Sequence, residues 1–327
     1  MLRAVLRQWQ PGVTMARRPL QRVQAALAAR RYFLAQRTKS QIASELGVSR
    51  FKVARLIDAA IEQGILQFVI SEPDELNTEL SEAVRTAYGL KAVLVLNGPD
   101  LPTSALTVPL GNLAALLLDE TLSDGQLLGV AWGRTLAAMA RALTHLPKVD
   151  IVQAAGAPLG LEISQNPVEL LHRLASLSGG RSYPVYSPMW AEDSLLIQRL
   201  RHEPTVAAAM SKYNSIDVLV VGVGSWVPAE SCLCTGFPDA WRRDALAAGA
   251  QADVCGTLID RDGREVPSPL DDFGLTITAK QLRRIPDVVG IGGGMEKAEA
   301  IAAALRGKWI NVLVTDAGVA RHLLGRQ

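Results

Sequence analysis

Residues 287–315 read DVVGIGGGMEKAEAIAAALRGKWINVLVT. Two short apolar runs, 287–292 and 310–315, flank a stretch over 294–306 that opens on glycine and is rich in alanine, a good helix former. Runs that are apolar at nearly every position belong to strands covered on both faces, and a helix between two of them makes the strands parallel. The same alternation recurs upstream. AVLVL (92–96), LLGVA (127–131), DIVQAA (150–155), DVLVVGVG (217–224) and ADVCGTLI (252–259) are separated by helical stretches at 103–121, 133–145, 166–177, 204–214 and 238–248, and a last one follows at 316–325. This pattern predicts an α/β domain over residues 73–327, with a doubly wound, mostly parallel sheet.

The N-terminal part has a different grammar. TKSQIASELGVSRFKVARLIDAAIEQG, residues 38–64, places apolar or small residues at Ile42, Ala43, Leu46, Val48, Val53 and Leu56, which lets two short helices pack across a turn at Gly47. That is helix-turn-helix spacing. Thr38 with Gln41 offers a capping box, and Ser49 offers an N-cap to the second helix. Residues 20–36 supply a supporting helix, so residues 16–70 read as a winged-helix-like DNA-binding domain. ILQFVI (65–70) fits a wing strand or the domain exit, and SEPDEL (71–76) a linker, with the boundary near Glu72. The side chains set to meet DNA are Thr38, Lys39, Ser49, Arg50, Phe51, Lys52 and Arg55, the last four in the first two turns of the second helix.

Charge supports this division. The net charge of +2 conceals +11 over residues 1–55, where twelve basic side chains face the single acid Glu45, and −9 over the remainder. The basic part suits phosphate, so its binding should weaken steeply with salt. No apolar run reaches the roughly 18 residues of a membrane span, and MLRAVLRQWQPGVT lacks the apolar core and cleavage site of a signal peptide. A cytoplasmic protein with no membrane partner is expected, and translation from Met15 is a candidate start. Cys232, Cys234 and Cys255 cannot all pair, and with His145, His172, His202 and His322 they form no zinc spacing. Neither metal nor cofactor is expected.

In doubly wound sheets ligands bind at the carboxyl ends of strands. Four such places stand out. Trp132-Gly133-Arg134-Thr135 joins amides, a hydroxyl and a guanidinium at a helix start, or is an ordinary βα turn. Gly290–Lys297 has glycine amides with a lysine one turn on, or is a structural glycine turn; it is neither a Walker A loop nor a good dinucleotide fingerprint. Gly222-Val223-Gly224-Ser225 ends another strand. Asp253 offers a carboxylate for sugar hydroxyls, whereas Asp316 reads as a helix cap.

The helix-turn-helix, GVAWGRTL (129–136), GAQADVCGTLIDRDGREV (249–266) and the whole of 288–324 resemble the SorC/DeoR family of sugar-responsive bacterial transcriptional regulators. The likeness runs from about residue 20 to the C-terminus. It implies an effector domain similar to the NagB/RpiA type of phosphosugar isomerase, a sugar, polyol or sugar-phosphate effector, operator DNA, and a homo-oligomer, dimer or tetramer. It also implies that Gly133, Arg134, Thr135, Asp253 and Lys297 line the effector pocket; Gly224 and Gly156, at two further strand ends, complete the candidate set. Where the family has an Asn-Gly-Gly or Arg-Gly-Gly segment after the third strand, this chain has Ala155-Gly156-Ala157-Pro158. Either Arg134 replaces the lost phosphate contact or the effector carries no phosphate. Two rivals to a ligand-gated regulator are an isomerase with a DNA-binding appendage and a regulator whose second domain only assembles oligomers. Isomerisation needs a positioned base and acid, and no histidine follows these strand ends; no catalytic residue is expected.

Overall fold

The computed structural model describes residues 17–66, 75–158 and 167–325, in two compact units, one within residues 1–71 and one within 72–327. The expected start at Met15, most of the wing run 65–70 and most of the linker 71–76 lie outside the described residues.

In the first unit, helix α1 (Arg17–Ala29) runs into a π-helical turn, Arg30–Leu34, and is followed by α2 (Lys39–Leu46) and α3 (Arg50–Glu62). The starts of α2 and α3 are those that the sequence predicts, whereas the supporting helix expected over 20–36 is α-helical over Arg17–Ala29 and then π-helical. Thr38 Oγ1 accepts from the Gln41 amide at 3.3 Å while the Gln41 side chain accepts from the Thr38 amide at 2.9 Å. Ser49 Oγ accepts from the Lys52 amide at 3.2 Å, and each such cap is worth about 1 kcal/mol. Gly47 takes the turn at φ 62°, a left-handed conformation that L side chains adopt at a cost. Val53, Leu56, Ile57 and Ala60 form one stripe of α3 and close a small core with Ile42, Ala25 and Ala28.

The described residues of the second unit form nine strands: β1 (Ala92–Leu96), β2 (Leu127–Val130), β3 (Asp150–Gln153), β4 (Ser182–Tyr183), β5 (Val218–Ser225), β6 (Ala252–Val254), β7 (Thr257–Ile259), β8 (Asp287–Ile291) and β9 (Val312–Asp316). Seven of them run parallel in the order β1-β9-β8-β5-β2-β3-β4. The run 252–259, expected as one strand of the parallel set, is instead the hairpin β6–β7, paired antiparallel with the end of β5. Its two-residue turn, Cys255-Gly256, has φ of 48° and 90°, the left-handed pair that such a reversal requires. The two-residue strand β4 carries too little pattern to be legible.

The order of the strands locates the crevice. The chain leaves β2 towards β3 and β4 on one side and leaves β5 towards β8 and β9 on the other. Between β2 and β5 the winding reverses, and a crevice opens at the carboxyl ends. Behind it the helix Ala298–Arg306 is buried nearly all round, Ala300, Ile301, Ala302, Ala303 and Ala304 included. Its alanines are what allow it to lie so close to the sheet.

Candidate functional site

Arg50, Phe51, Lys52 and Arg55 are all exposed at the start of α3, Phe51 and Arg55 on the face opposite its core stripe and Arg50 and Lys52 on its flanks. The Thr38 and Ser49 side chains hold the helix starts. Lys39 lies with its ammonium 5.5 Å from the centre of the Tyr32 ring, and Glu45 pairs with Arg31 at 3.1 Å. The first two turns of α3 are cationic around one aromatic ring, and its exposed acids, Asp58 and Glu62, come further along the helix.

In the second unit a cavity of about 390 Å³ opens where the winding reverses. Trp132 to Thr135 line it from the turn after β2, Gly222 to Gly224 from β5, and Ile291 from the end of β8. Asp253 enters from β6 and Lys297 from the short 3-10 turn Met295–Lys297. Glu230, Ser231 and Cys232 form part of the wall, and Thr103 and Thr107 enter from the first turns of the helix Thr103–Thr121.

Asp253 is buried, with Trp226 Nε1 donating to its Oδ1 at 2.9 Å and the Ser231 hydroxyl donating to the same oxygen. Burial pushes its carboxyl above the ordinary value, against the pull of those two donors and of Lys297. Lys297 Nζ donates to the Val223 carbonyl at 3.0 Å. Burial pushes its ammonium below the ordinary value, Asp253 opposes that, and Arg134 adds to it. The cavity thus holds one acid and one base that are both short of solvent, with exposed Arg134 and Glu230 beside them. This arrangement depends on Gly224: a Cβ there would lie 2.2 Å from Asp253 Oδ1 and 2.7 Å from Ser231 Oγ.

The two thiols of the wall are not nucleophiles. Burial and the neighbouring Asp253 push Cys232 up to about 11 and Cys255 up to about 12, so both stay protonated at neutral pH. The Trp132 indole donates to Cys232 Sγ at 2.8 Å. All three cysteines are free, and among the described residues no cluster of His, Cys, Asp and Glu could hold a metal ion. No histidine lines the cavity among the described residues. Carboxylates, hydroxyls and cations that converge on a small space can exchange hydrogen bonds with a polyhydroxylated molecule.

Residues 73–325 match the Sugar-bind family of sugar-binding domains. Over 304 residues the chain is 30% identical to the sorbitol operon regulator of Klebsiella pneumoniae, with 90% of this chain and 96% of that protein covered. It is 28% identical over 305 residues to the deoxyribonucleoside regulator of Bacillus subtilis, covering 91% and 96% respectively. The crystal structure of the full-length Klebsiella pneumoniae SorC superposes with a TM-score of 0.70 at 27% identity, over 93% of this chain and 99% of that one. The chain belongs to the SorC/DeoR family of transcriptional regulators.

In this SorC/DeoR regulator, Gly133, Arg134, Thr135, Gly224, Asp253 and Lys297 come together in the cavity wall. Gly156 does not line it. Its amide donates to Leu275 O at 2.7 Å, and a Cβ there would sit 2.5 Å from the Pro188 carbonyl oxygen, so the position serves close packing. Of the two readings of the glycine turn before Lys297, the structural one fits its packing: Gly292 N donates to Val314 O at 3.1 Å and Gly294 N to Asp316 Oδ1 at 2.8 Å. A Cβ on Gly293 would lie 2.6 Å from both Asp316 and Leu110. The turn is filled by protein, and of its expected parts Lys297 reaches the cavity. Asp316 caps the helix Ala317–Leu324 through the Gly318 and Val319 amides, as the sequence predicts. Thr103, Thr107, Glu230, Ser231 and Thr235 line the cavity with no sequence signal to mark them. Thr103 follows a proline at a helix start, and nothing local says which wall that helix will meet.

Proposed function

We propose that the cavity between β2 and β5 binds a sugar, a polyol or a sugar phosphate, and that its occupancy controls binding of the α2–α3 hairpin to operator DNA. The observation that carries this reading is the convergence of an acid and a base, Asp253 buried and Lys297 half-buried, at the point where the winding of the sheet reverses. Asp253 accepts sugar hydroxyls; Lys297 and Arg134 donate to hydroxyls or to a phosphate. Gly133, Thr135 and Gly224 shape the space between them. The unphosphorylated class is favoured by Ala155 to Pro158, which bring no charged side chain.

On the DNA side, Arg50, Lys52 and Arg55 meet phosphates and base edges, Phe51 faces the groove, and Thr38, Lys39 and Ser49 flank the backbone. Residues 16–70 and 73–327 are then the DNA-binding and effector domains. Operators of such modules are read as paired half-sites about 34 Å apart, which calls for a dimer or tetramer of this chain in the cytoplasm. The effector acts by favouring one arrangement of the paired modules, and only its differential affinity for the two arrangements does so. The sugar is bound and released unchanged, since among the described residues the cavity wall sets no imidazole beside Asp253.

A thermal-shift panel of sugars, polyols and their phosphates tests the reading, because a ligand at a hundred times its dissociation constant adds about 2.7 kcal/mol of stability. The expected hit also changes operator affinity in fluorescence anisotropy and is recovered unaltered by NMR. A hit that stabilises the protein yet leaves operator affinity untouched would sink the gating claim, and an isomerised product would sink the regulator-only claim.

A further inference from the structure

Phe51 is the second residue of α3 and is 84% exposed, more than any other large apolar side chain among the described residues. The unit does not need it for its core, which takes Val53, Leu56, Ile57 and Ala60 from this helix. At about 100° per residue, Phe51 points about 200° from Val53 and only about 40° from Arg55. It therefore stands on the outward face, flanked by Arg50, Lys52 and Arg55, all exposed. An aromatic ring set among cations and left in water fits a partner that is anionic at its rim and apolar at one point within. The major groove of DNA has that character, with phosphates along its edges and the C5-methyl group of thymine as its apolar mark.

We propose that Phe51 is a specificity-determining residue that reads thymine, its ring packing on the C5-methyl group in each operator half-site. This rests on the reading of α3 as the helix that enters the groove. Arg55 lies four residues on, about 6 Å along the helix at about 1.5 Å per residue, or about two base-pair steps of 3.4 Å. The base read by Arg55, with guanine its best partner, lies within about two base pairs of that thymine.

The test uses the full chain. Binding sites are selected from random duplex DNA, and each thymine of the selected site is then replaced in turn by uracil, which removes only the methyl group. Wild-type protein is expected to lose about fourfold in affinity at one thymine per half-site, the factor that burial of one methyl group brings. Phe51→Ala should bind thymine and uracil there equally, and Phe51→Leu should keep part of the discrimination. Thermal melting checks that both variants fold, as replacement of so exposed a side chain should allow. The inference is overturned if Phe51→Ala discriminates against uracil as the wild type does. It is equally overturned if that variant weakens binding by the same factor on every sequence, the mark of a wedge between base steps or a backbone contact. If the full chain selects no sequence, or Arg55→Ala leaves its sequence preference and affinity unchanged, the fault lies in the reading of α3 itself.

Discussion

The outward face of α3 and the cavity of the second unit both gather charged side chains, and they do so in opposite physical states. On α3, Arg50, Lys52 and Arg55 stand in water within six residues of one another. In the cavity, Asp253 and Lys297 stand 44 residues apart in sequence, the first buried and the second half-buried, and burial disfavours the charged form of each. The first arrangement should respond to salt and hardly to pH near neutrality. The second should respond to pH and to ligand, and little to salt, because buried charges are poorly screened. On the proposed reading, a face that meets a polyanion and a pocket that meets a sugar, a polyol or a sugar phosphate divide along the same line.

Four variants probe that division. Lys297→Ala removes the half-buried ammonium that lines the cavity with Asp253, a loss of about 3 kcal/mol or more than a hundredfold in effector affinity. Operator affinity without effector should stay as it is, and isothermal titration beside anisotropy reads both; lost DNA binding in a folded protein of unchanged assembly would move Lys297 out of the effector pocket. Next in size is Arg50→Ala with Lys52→Ala, which takes away two phosphate contacts. Operator affinity should fall about thirtyfold at 0.15 M salt, and the slope of log K against log salt should shrink by about 1.8. An unchanged slope would show that those side chains never reach the backbone of the duplex. Effector affinity should not move.

Thr38→Ala breaks the capping box of α2 and should lower the stability of the first unit by about 1 kcal/mol. Hydrogen exchange resolved by residue should show this loss in α2 and α3 and none around Asp253. The smallest effect is one of shape. Because burial raises the folded carboxyl of Asp253 above the ordinary aspartate value of 3.8, the folded chain keeps a proton that the unfolded chain has lost in the window just above that value. Unfolding there releases a proton, so this group's contribution to stability is greatest below that window and falls as pH rises through the folded value. Asp253→Asn has no such proton, and its melting temperature should be flatter over the window, an outcome checked by melts from pH 3.5 to pH 7, values of the experiment chosen to span about three units above the reference. A wild-type melting curve that rises through the window to the same extent as the variant's would mean that Asp253 is not the group in question.

The two regions also differ in how far they could be read beforehand. The caps at Thr38 and Ser49, the turn at Gly47 and the cationic start of α3 all follow from contacts within a few residues, and each is found where the sequence puts it. The parallel strands are equally plain, since a run apolar on both faces has few other uses. The glycines mislead. Gly133 borders open space, whereas Gly224 is packed against Asp253 and Ser231, Gly156 against Pro188, and Gly293 and Gly294 against Asp316 and Thr103. A glycine marks a close approach, and the residue that makes it stands far away in the chain. The hairpin β6–β7 was hidden for a related reason: an apolar run reads alike whether or not it turns back in the middle.

Local chemistry, then, determined the helix-turn-helix, the doubly wound class, the charge asymmetry and, through likeness of motif, the family. Those properties rest on neighbours in sequence and on the periodicity of burial, which a single chain displays openly. The tertiary structure alone decided that the reversal point falls between β2 and β5, that Thr103 and Thr107 share a wall with Lys297, and that Asp316 fills the turn expected to cradle an anion. Those outcomes depend on contacts across as many as 190 residues, where the identity of a side chain carries no trace of the partner it will meet.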